Sequence, residues 1–276
     1  MAYAAAVFRF CRWCERQGVQ RLQDVTPIVV AAYIEKLTQT HATPTAKQAL
    51  AAIRMLFDFL VTGQVVPVNP VASVRGPKHV VTKGKTPVLT SDEARQLLRS
   101  IDGSSIGDLR DRALIAVMIY SFARVGATLA MNVEDCFTNR GRLWFRLHEK
   151  GGKLHDVPAH RQAEHYVREY VAAAGIAGDG KESLFRTLDR RKQLSERRLQ
   201  HREALAMIKR RAVKAGLSPK ICCHSFRATG ITAYLESGGT LEHAQRIAAH
   251  ASPRTTKLYD RTSDAVNLDE IDRIAI

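Results

Sequence analysis

The sequence predicts a mainly α-helical protein with one small antiparallel β-sheet, divided into two domains. Three observations carry that expectation. Apolar residues recur at three- and four-residue spacing over most of the chain, the pattern of helices that each bury one stripe. Between Gln64 and Pro87 this period disappears, and Pro67, Pro70, Gly76, Pro77, Gly84 and Pro87 punctuate a Val- and Lys-rich stretch. Only one region reads as strand: Leu143 to Leu147 and Leu154 to Pro158 flank Lys150-Gly151-Gly152-Lys153, a glycine-bearing turn. At 276 residues the chain also exceeds a typical domain of about 100–150 residues. We place a helical domain at 1–75, a linker at 76–87 and a larger domain at 88–276.

Taken in order, the first helix is expected from about Ala2 to Arg16, a second near Ile28 to Leu37 and a third from about Thr45 to Val61, with Gly18 and Gly63 as stops. In the third, Ala49, Ala52, Ile53, Leu56, Phe57 and Leu60 form one stripe, which is core and not site. The second domain opens at Thr90-Ser91-Asp92-Glu93, where a hydroxyl followed three residues on by a carboxylate is a capping box. Leu109 to Phe122 is apolar enough to be a buried helix that leads to Arg124. Beyond the hairpin, helical spacing returns at Ala163 to Ala174, Leu199 to Ala215, His224 to Glu236, Leu241 to His250 and Ser252 to Tyr259.

The chain carries 42 Lys and Arg against 27 Asp and Glu, a formal charge of +15, which points first to a polyanion as partner, nucleic acid foremost. The excess lies on both sides of residue 80, so both domains can face the same polyanion. No stretch approaches the roughly 18–20 apolar residues of a membrane span. Five cysteines, an odd number, and an N-terminal segment interrupted by Arg9 and Arg12 point to a reduced, cytosolic chain without a signal peptide. Cys11-x-x-Cys14 lacks a second ligand pair at zinc-finger spacing. Lys78, Lys83 and Lys85 make the linker a basic strap able to cross a phosphate backbone, and Lys153 flanks the hairpin turn. Arg202, Lys209 and Arg210, in a basic run with Arg211 and Lys214, are further candidates for phosphate contact.

Six residues stand in one order: Arg124, Lys150, His224-Ser225-Phe226-Arg227, His250 and Tyr259. Singly, each is ordinary. His-x-x-Arg followed at fixed spacing by a His and a Tyr, however, arises by chance on the order of once in a million positions. Around these residues the chain resembles the tyrosine recombinase family, which includes phage integrases and the bacterial recombinases that resolve chromosome dimers. The matching pieces are Arg-Asp-Arg-Ala-Leu-Ile (110 to 115), Ala-Arg-Val (123 to 125), Lys-Gly-Gly-Lys (150 to 153) with Val157-Pro158, His-Ser-Phe-Arg-Ala-Thr (224 to 229) and Ala-His-Ala-Ser-Pro-Arg-Thr-Thr-Lys-Leu-Tyr (249 to 259). Two positions depart from the pattern: Ala127 stands where the family often has an acidic brace three residues after the arginine, and Ala249 replaces a common glycine. The chain opens almost inside its first helix, with no arm-binding domain ahead of it, which leaves open whether Met1 is the true start.

The resemblance implies a two-domain DNA clamp, a helical core-binding domain followed by a catalytic domain. Four copies assemble on two specific sites in duplex DNA, in the bacterial cytoplasm at the nucleoid, and a tail after Tyr259 docks on a neighbouring protomer. It further implies that Tyr259 attacks a phosphodiester to give a 3′-phosphotyrosine and that Lys150 is the general acid for the departing 5′-hydroxyl. The residue types suit this chemistry. Two guanidinium forks, Arg124 and Arg227, can meet the charge that builds on the non-bridging oxygens. A phenol ordinarily holds its proton at neutral pH, so a base is needed; His224 is the first choice and His250 the other. Neither metal nor nucleotide cofactor is called for. The alternatives are a type IB topoisomerase-like or telomere-resolving strand transferase and a DNA-binding protein without catalysis. A metal-dependent nuclease lacks the clustered carboxylates it needs.

Overall fold

The structure, a computed structural model, describes residues 2–79, 84 and 86–260. It divides into two compact units, Met1–Val81 and Thr82–Ile276. Lys83, Lys85 and the tail from Arg261 onward lie outside the described residues.

The first unit is built on α1 (Ala2–Arg16), α2 (Pro27–Thr40) and α3 (Thr43–Thr62). Thr26 caps α2 by accepting from the Val29 amide, with Pro27 at the first helical position. Phe10 and Trp13 of α1 meet Tyr33 of α2 at ring-centroid distances of 5.1 and 5.2 Å, and Ile53 and Phe57 of α3 close the core behind them. The end of helical period at Gln64 does not end this unit. Val66, Val71 and Val74 are buried in the same core, and Arg54 of α3 donates to the carbonyls of Val71 and Val74. The proline-rich stretch is therefore packed as far as Val74.

The second unit comprises α4 (Ser91–Arg99), α5 (Ile106–Tyr120), α6 (Val125–Ala130), β1 (Cys136–Asn139), β2 (Arg142–His148), β3 (Leu154–Pro158), α7 (Arg161–Ala174), β4 (Arg186–Leu188), β5 (Leu194–Arg198), α8 (His201–Lys214), α9 (Cys223–Glu236), α10 (Leu241–Ile247) and α11 (Pro253–Lys257). The Thr90–Glu93 capping box opens α4 as expected. Helix α5 is buried throughout Ala113–Ile119 and forms the axis on which α7 and α9 pack. Where α5 and α9 cross, Gly230 permits backbone contact: any Cβ there would drive into the Ile119 carbonyl and the Phe122 ring. That crossing sets the depth at which α9 presents its other side chains.

Two features differ from the sequence expectation. The sheet has a third strand, β1, in the order β1-β2-β3, and β4 with β5 makes a second small ribbon; at four, three and five residues these strands are too short for alternation to reveal. Arg211 is not part of an exposed basic face, because it hydrogen-bonds Asp108 and Asp111, and Asp111 in turn pairs with buried Arg110. Removing one partner from such a network leaves a buried charge unpaired, so these ions hold α5, α8 and the β4 segment in register.

Candidate active site

The six candidate residues come from five elements of the second unit. After α5, Phe122 takes a left-handed backbone conformation (φ 53°), strained for a bulky side chain, which turns its carbonyl toward α9. Arg124 follows at the N-cap of α6. His224 and Arg227 lie one turn apart on α9, hence on one face. Arg227 is 1% exposed, and its two terminal nitrogens donate to the carbonyls of Phe122 and Ala248. Its Nε has no hydrogen-bond partner among the described residues. Arg227 thus ties the ends of α5 and α10 together while placing its charge in the site.

Ala249 explains the glycine that the sequence pattern leads one to expect. Its φ of 48° is left-handed, a conformation that costs a residue with a Cβ about 1–2 kcal/mol. This turn ends α10 and sends His250 back over Tyr259, the two rings stacking at 5.7 Å with an interplanar angle of 8°. His250 Nδ1 shares a 2.9 Å hydrogen bond with the fully buried Thr256 hydroxyl. Thr232 of α9 donates to the Tyr259 carbonyl, which seats the end of α11 against α9.

The Tyr259 hydroxyl lies 2.9 Å from His224 Nε2. Loss of solvation lowers the His224 pKa, with the charges of Arg227 and then Arg124 adding to it, so the ring is neutral and able to accept a proton at neutral pH. Burial pulls His250 down to about 3, assisted by Arg227, Arg124 and His224. Burial, then Arg124, lowers Arg227 to about 10, opposed by Tyr259 and Glu149. The site is therefore a cluster of cations around two neutral imidazoles.

Lys150 is exposed on the turn between β2 and β3, where Gly151 and Gly152 both adopt positive φ and the Glu149 amide donates to the Lys153 carbonyl at 2.8 Å. It lines two adjoining clefts of about 600 Å³ each. One cleft also holds Arg124 and His224, the other Arg124, Lys153 and His250. Of the candidate phosphate contacts, Arg202, Lys209 and Arg210 are exposed on α8 and Lys78 is exposed in the first unit. Among the described residues no group of three or more His, Cys, Asp or Glu is arranged to hold a metal.

Sequence reading missed Glu149 and Thr256. Glu149 is 8% exposed and its carboxylate accepts from Arg124 Nη1 at 2.5 Å. A signal was present: Leu143, Phe145 and Leu147 alternate on the inner face of β2, and Glu149 continues the same parity.

The phage integrase family matches residues 87–265, and the phage integrase N-terminal SAM-like domain matches residues 1–64. The chain belongs to the phage integrase family. As a member it is a tyrosine-type enzyme of site-specific DNA strand exchange. Tyrosine recombinase XerD of Corynebacterium glutamicum is 29% identical over 275 residues, covering 96% of this chain and 88% of the relative. Tyrosine recombinase XerC of Proteus mirabilis is 30% identical over 227 residues, with 81% and 71% covered. The fold is shared with XerH recombinase bound to its difH substrate before cleavage (TM-score 0.71, 18% identity, 99% of this chain and 77% of that one). It is shared too with the lambda integrase tetramer on a Holliday junction (TM-score 0.65, 18% identity, 96% and 73%).

Proposed function

We propose that this integrase-family chain cuts and rejoins DNA through a 3′-phosphotyrosine on Tyr259, with no metal ion in the reaction. The observation that carries the reading is the 2.9 Å hydrogen bond between the Tyr259 hydroxyl and a neutral His224, one helical turn from Arg227. The Tyr259 oxygen attacks phosphorus while its proton passes to His224 Nε2. Arg124 and Arg227 meet the charge that develops on the non-bridging oxygens, with His250 as an added donor. Lys150 gives a proton to the leaving 5′-oxygen as that bond breaks. The ester energy stays in the phosphotyrosine, so a 5′-hydroxyl from another strand reverses the step. His224 is favoured over His250 as base because it is the one that holds the phenol.

In this reading the substrate is duplex DNA carrying specific sites, and four copies act together in a bacterial cytoplasm. The family match, the bacterial relatives and a structural neighbour captured as a tetramer on a junction support it. Among the described residues no helix is long and apolar enough to cross a membrane.

Bacterial cells expressing the chain are expected to yield, on rapid denaturation, DNA covalently attached through its 3′-phosphate and leaving a free 5′-hydroxyl. Sequencing that DNA should return one short enriched site, and the adduct should form in chelator. Adducts scattered without a shared site would favour a topoisomerase-like enzyme, and no adduct would sink the catalytic reading.

DNA affinity should fall steeply with salt, each phosphate contact adding about 0.9 to the slope of log affinity against log salt. Lys209→Ala and Arg202→Ala are each expected to reduce that slope by up to about one. A slope near zero in a fluorescence titration would count against a DNA-binding surface altogether.

A further inference from the structure

Glu149 is the one carboxylate lining either of the two clefts, whose other charged lining groups are cationic. A negative charge in a site that receives a phosphate works against binding, so its presence calls for a positive reason. The nearby helix α6 supplies no acid to Arg124; its residues Val125–Ala130 are all uncharged. Arg124 is instead held from the sheet, by Glu149 at the inner end of β2. The Glu149 side chain is 6% exposed, while that of Arg124 is 41% exposed. The buried carboxylate is therefore the fixed partner and the arginine the group it orients.

Only Nη1 of Arg124 is engaged. Among the described residues Nε and Nη2 make no hydrogen bond, which leaves one whole edge of the guanidinium for two oxygens of a phosphate. Glu149 also immediately precedes Lys150, and its amide closes the turn onto Lys153. The β3 strand of the same hairpin is anchored separately, where His155 donates from Nε2 to the Ile247 carbonyl of α10 at 3.1 Å. The one carboxylate thus joins Arg124 to the turn that carries Lys150.

We infer that Glu149 is a positioning residue for strand cleavage, holding Arg124 by Nη1 so that its free edge faces the scissile phosphate and fastening the Lys150 turn to that arginine. This rests on the strand-transfer reading above. Glu149 touches no reacting atom; it acts through Arg124 and Lys150. The competing role for the same contact is a plug, a carboxylate that occupies Arg124 until a phosphate displaces it. The two roles predict opposite effects on rate.

The test uses the full chain and a nicked duplex bearing the site recovered from adducts. Single-turnover cleavage, duplex Kd and Tm are measured for wild type, Glu149→Ala and Glu149→Gln. Misplacing a group by about 1 Å costs up to about 100-fold in rate, so Glu149→Ala is expected to cleave about 10- to 100-fold more slowly. Its Kd should be unchanged or tighter, since a charge that repels phosphate has been removed. Glu149→Gln keeps an acceptor of the same shape and should recover part of the lost rate. On a duplex whose scissile phosphate is a methylphosphonate, one charged oxygen is gone and less is asked of Arg124, so the deficit should shrink. Cleavage by Glu149→Ala at or above the wild-type rate overturns the proposal in favour of the plug. A rate loss that follows only the fraction folded, or equally weakened DNA binding, overturns it in favour of a structural role. Should the alanine variant fail to fold, the glutamine variant decides by the same rate, Kd and methylphosphonate comparison. A wild-type chain that cleaves no duplex rejects the strand-transfer reading itself, a result distinct from a wild-type-like Glu149 variant.

Discussion

Tyr259→Phe is expected to remove the covalent DNA adduct completely, a fall of more than about 10⁴-fold, while the protein still binds DNA. The substitution deletes one oxygen. It keeps the ring that stacks on His250 and stays packed in the small core formed by Phe122, Ala228, Ile231 and Leu235. The lost hydrogen bond to His224 is worth about 1 kcal/mol in stability, too little to unfold the domain. Affinity drawn from phosphate contacts should be within about twofold of wild type. A denaturing gel for adduct and a mobility shift for binding separate the two effects. Adduct persisting in the variant would move the nucleophile elsewhere. Tyr170 is a poor replacement, because it is fully buried and donates to the Leu184 carbonyl.

Lys150→Ala should slow cleavage by about 10²- to 10⁴-fold, the usual contribution of a positioned acid. Loss alone is ambiguous, so the informative substrate replaces the bridging 5′-oxygen at the scissile phosphate with sulfur. A thiolate leaves without a proton, and on that duplex Lys150→Ala should approach the wild-type rate. Arg124→Ala and Arg227→Ala should not recover, because their proposed contacts are to non-bridging oxygens. Arg227→Ala should also unfold more easily, since the Phe122 and Ala248 carbonyls lose a buried donor. Rescue of Lys153→Ala instead would transfer the role across the turn. Geometry favours Lys150, which lines both clefts beside Arg124, whereas Lys153 lines one. Rescue of neither lysine would leave the hairpin a role in placing DNA only.

Much of this was legible in one dimension because the signals are local. Helical period, a capping box at Thr90 and the turn Lys150–Lys153 depend on neighbours within a few residues, and each stands where the sequence puts it. The order Arg124, Lys150, His224, Arg227, His250, Tyr259 is likewise a string, and strings can be recognised before they are folded. Short strands were not legible: β4 is three residues long and β5 reads Leu-Ser-Glu-Arg-Arg, so only their mutual pairing makes them strands.

The linear order of residues specifies which chemical groups are available and which helices, with one hairpin turn, carry them. Which of those groups share an atom-to-atom contact follows from packing. Arg124 and Glu149 are 25 residues apart, Tyr259 and His224 are 35 apart, and Arg227 reaches back 105 residues to the Phe122 carbonyl. Such contacts depend on how closely α5 and α9 can approach across Gly230 and on the left-handed turns at Phe122 and Ala249. Hydrogen bonds act over about 3 Å, whereas sequence spacing constrains position only along a helix or strand. The pairing of Glu149 with the arginine therefore came only from the packing of elements far apart in the chain, whereas His224, already the first choice of base, is the histidine that packing brings to the phenol.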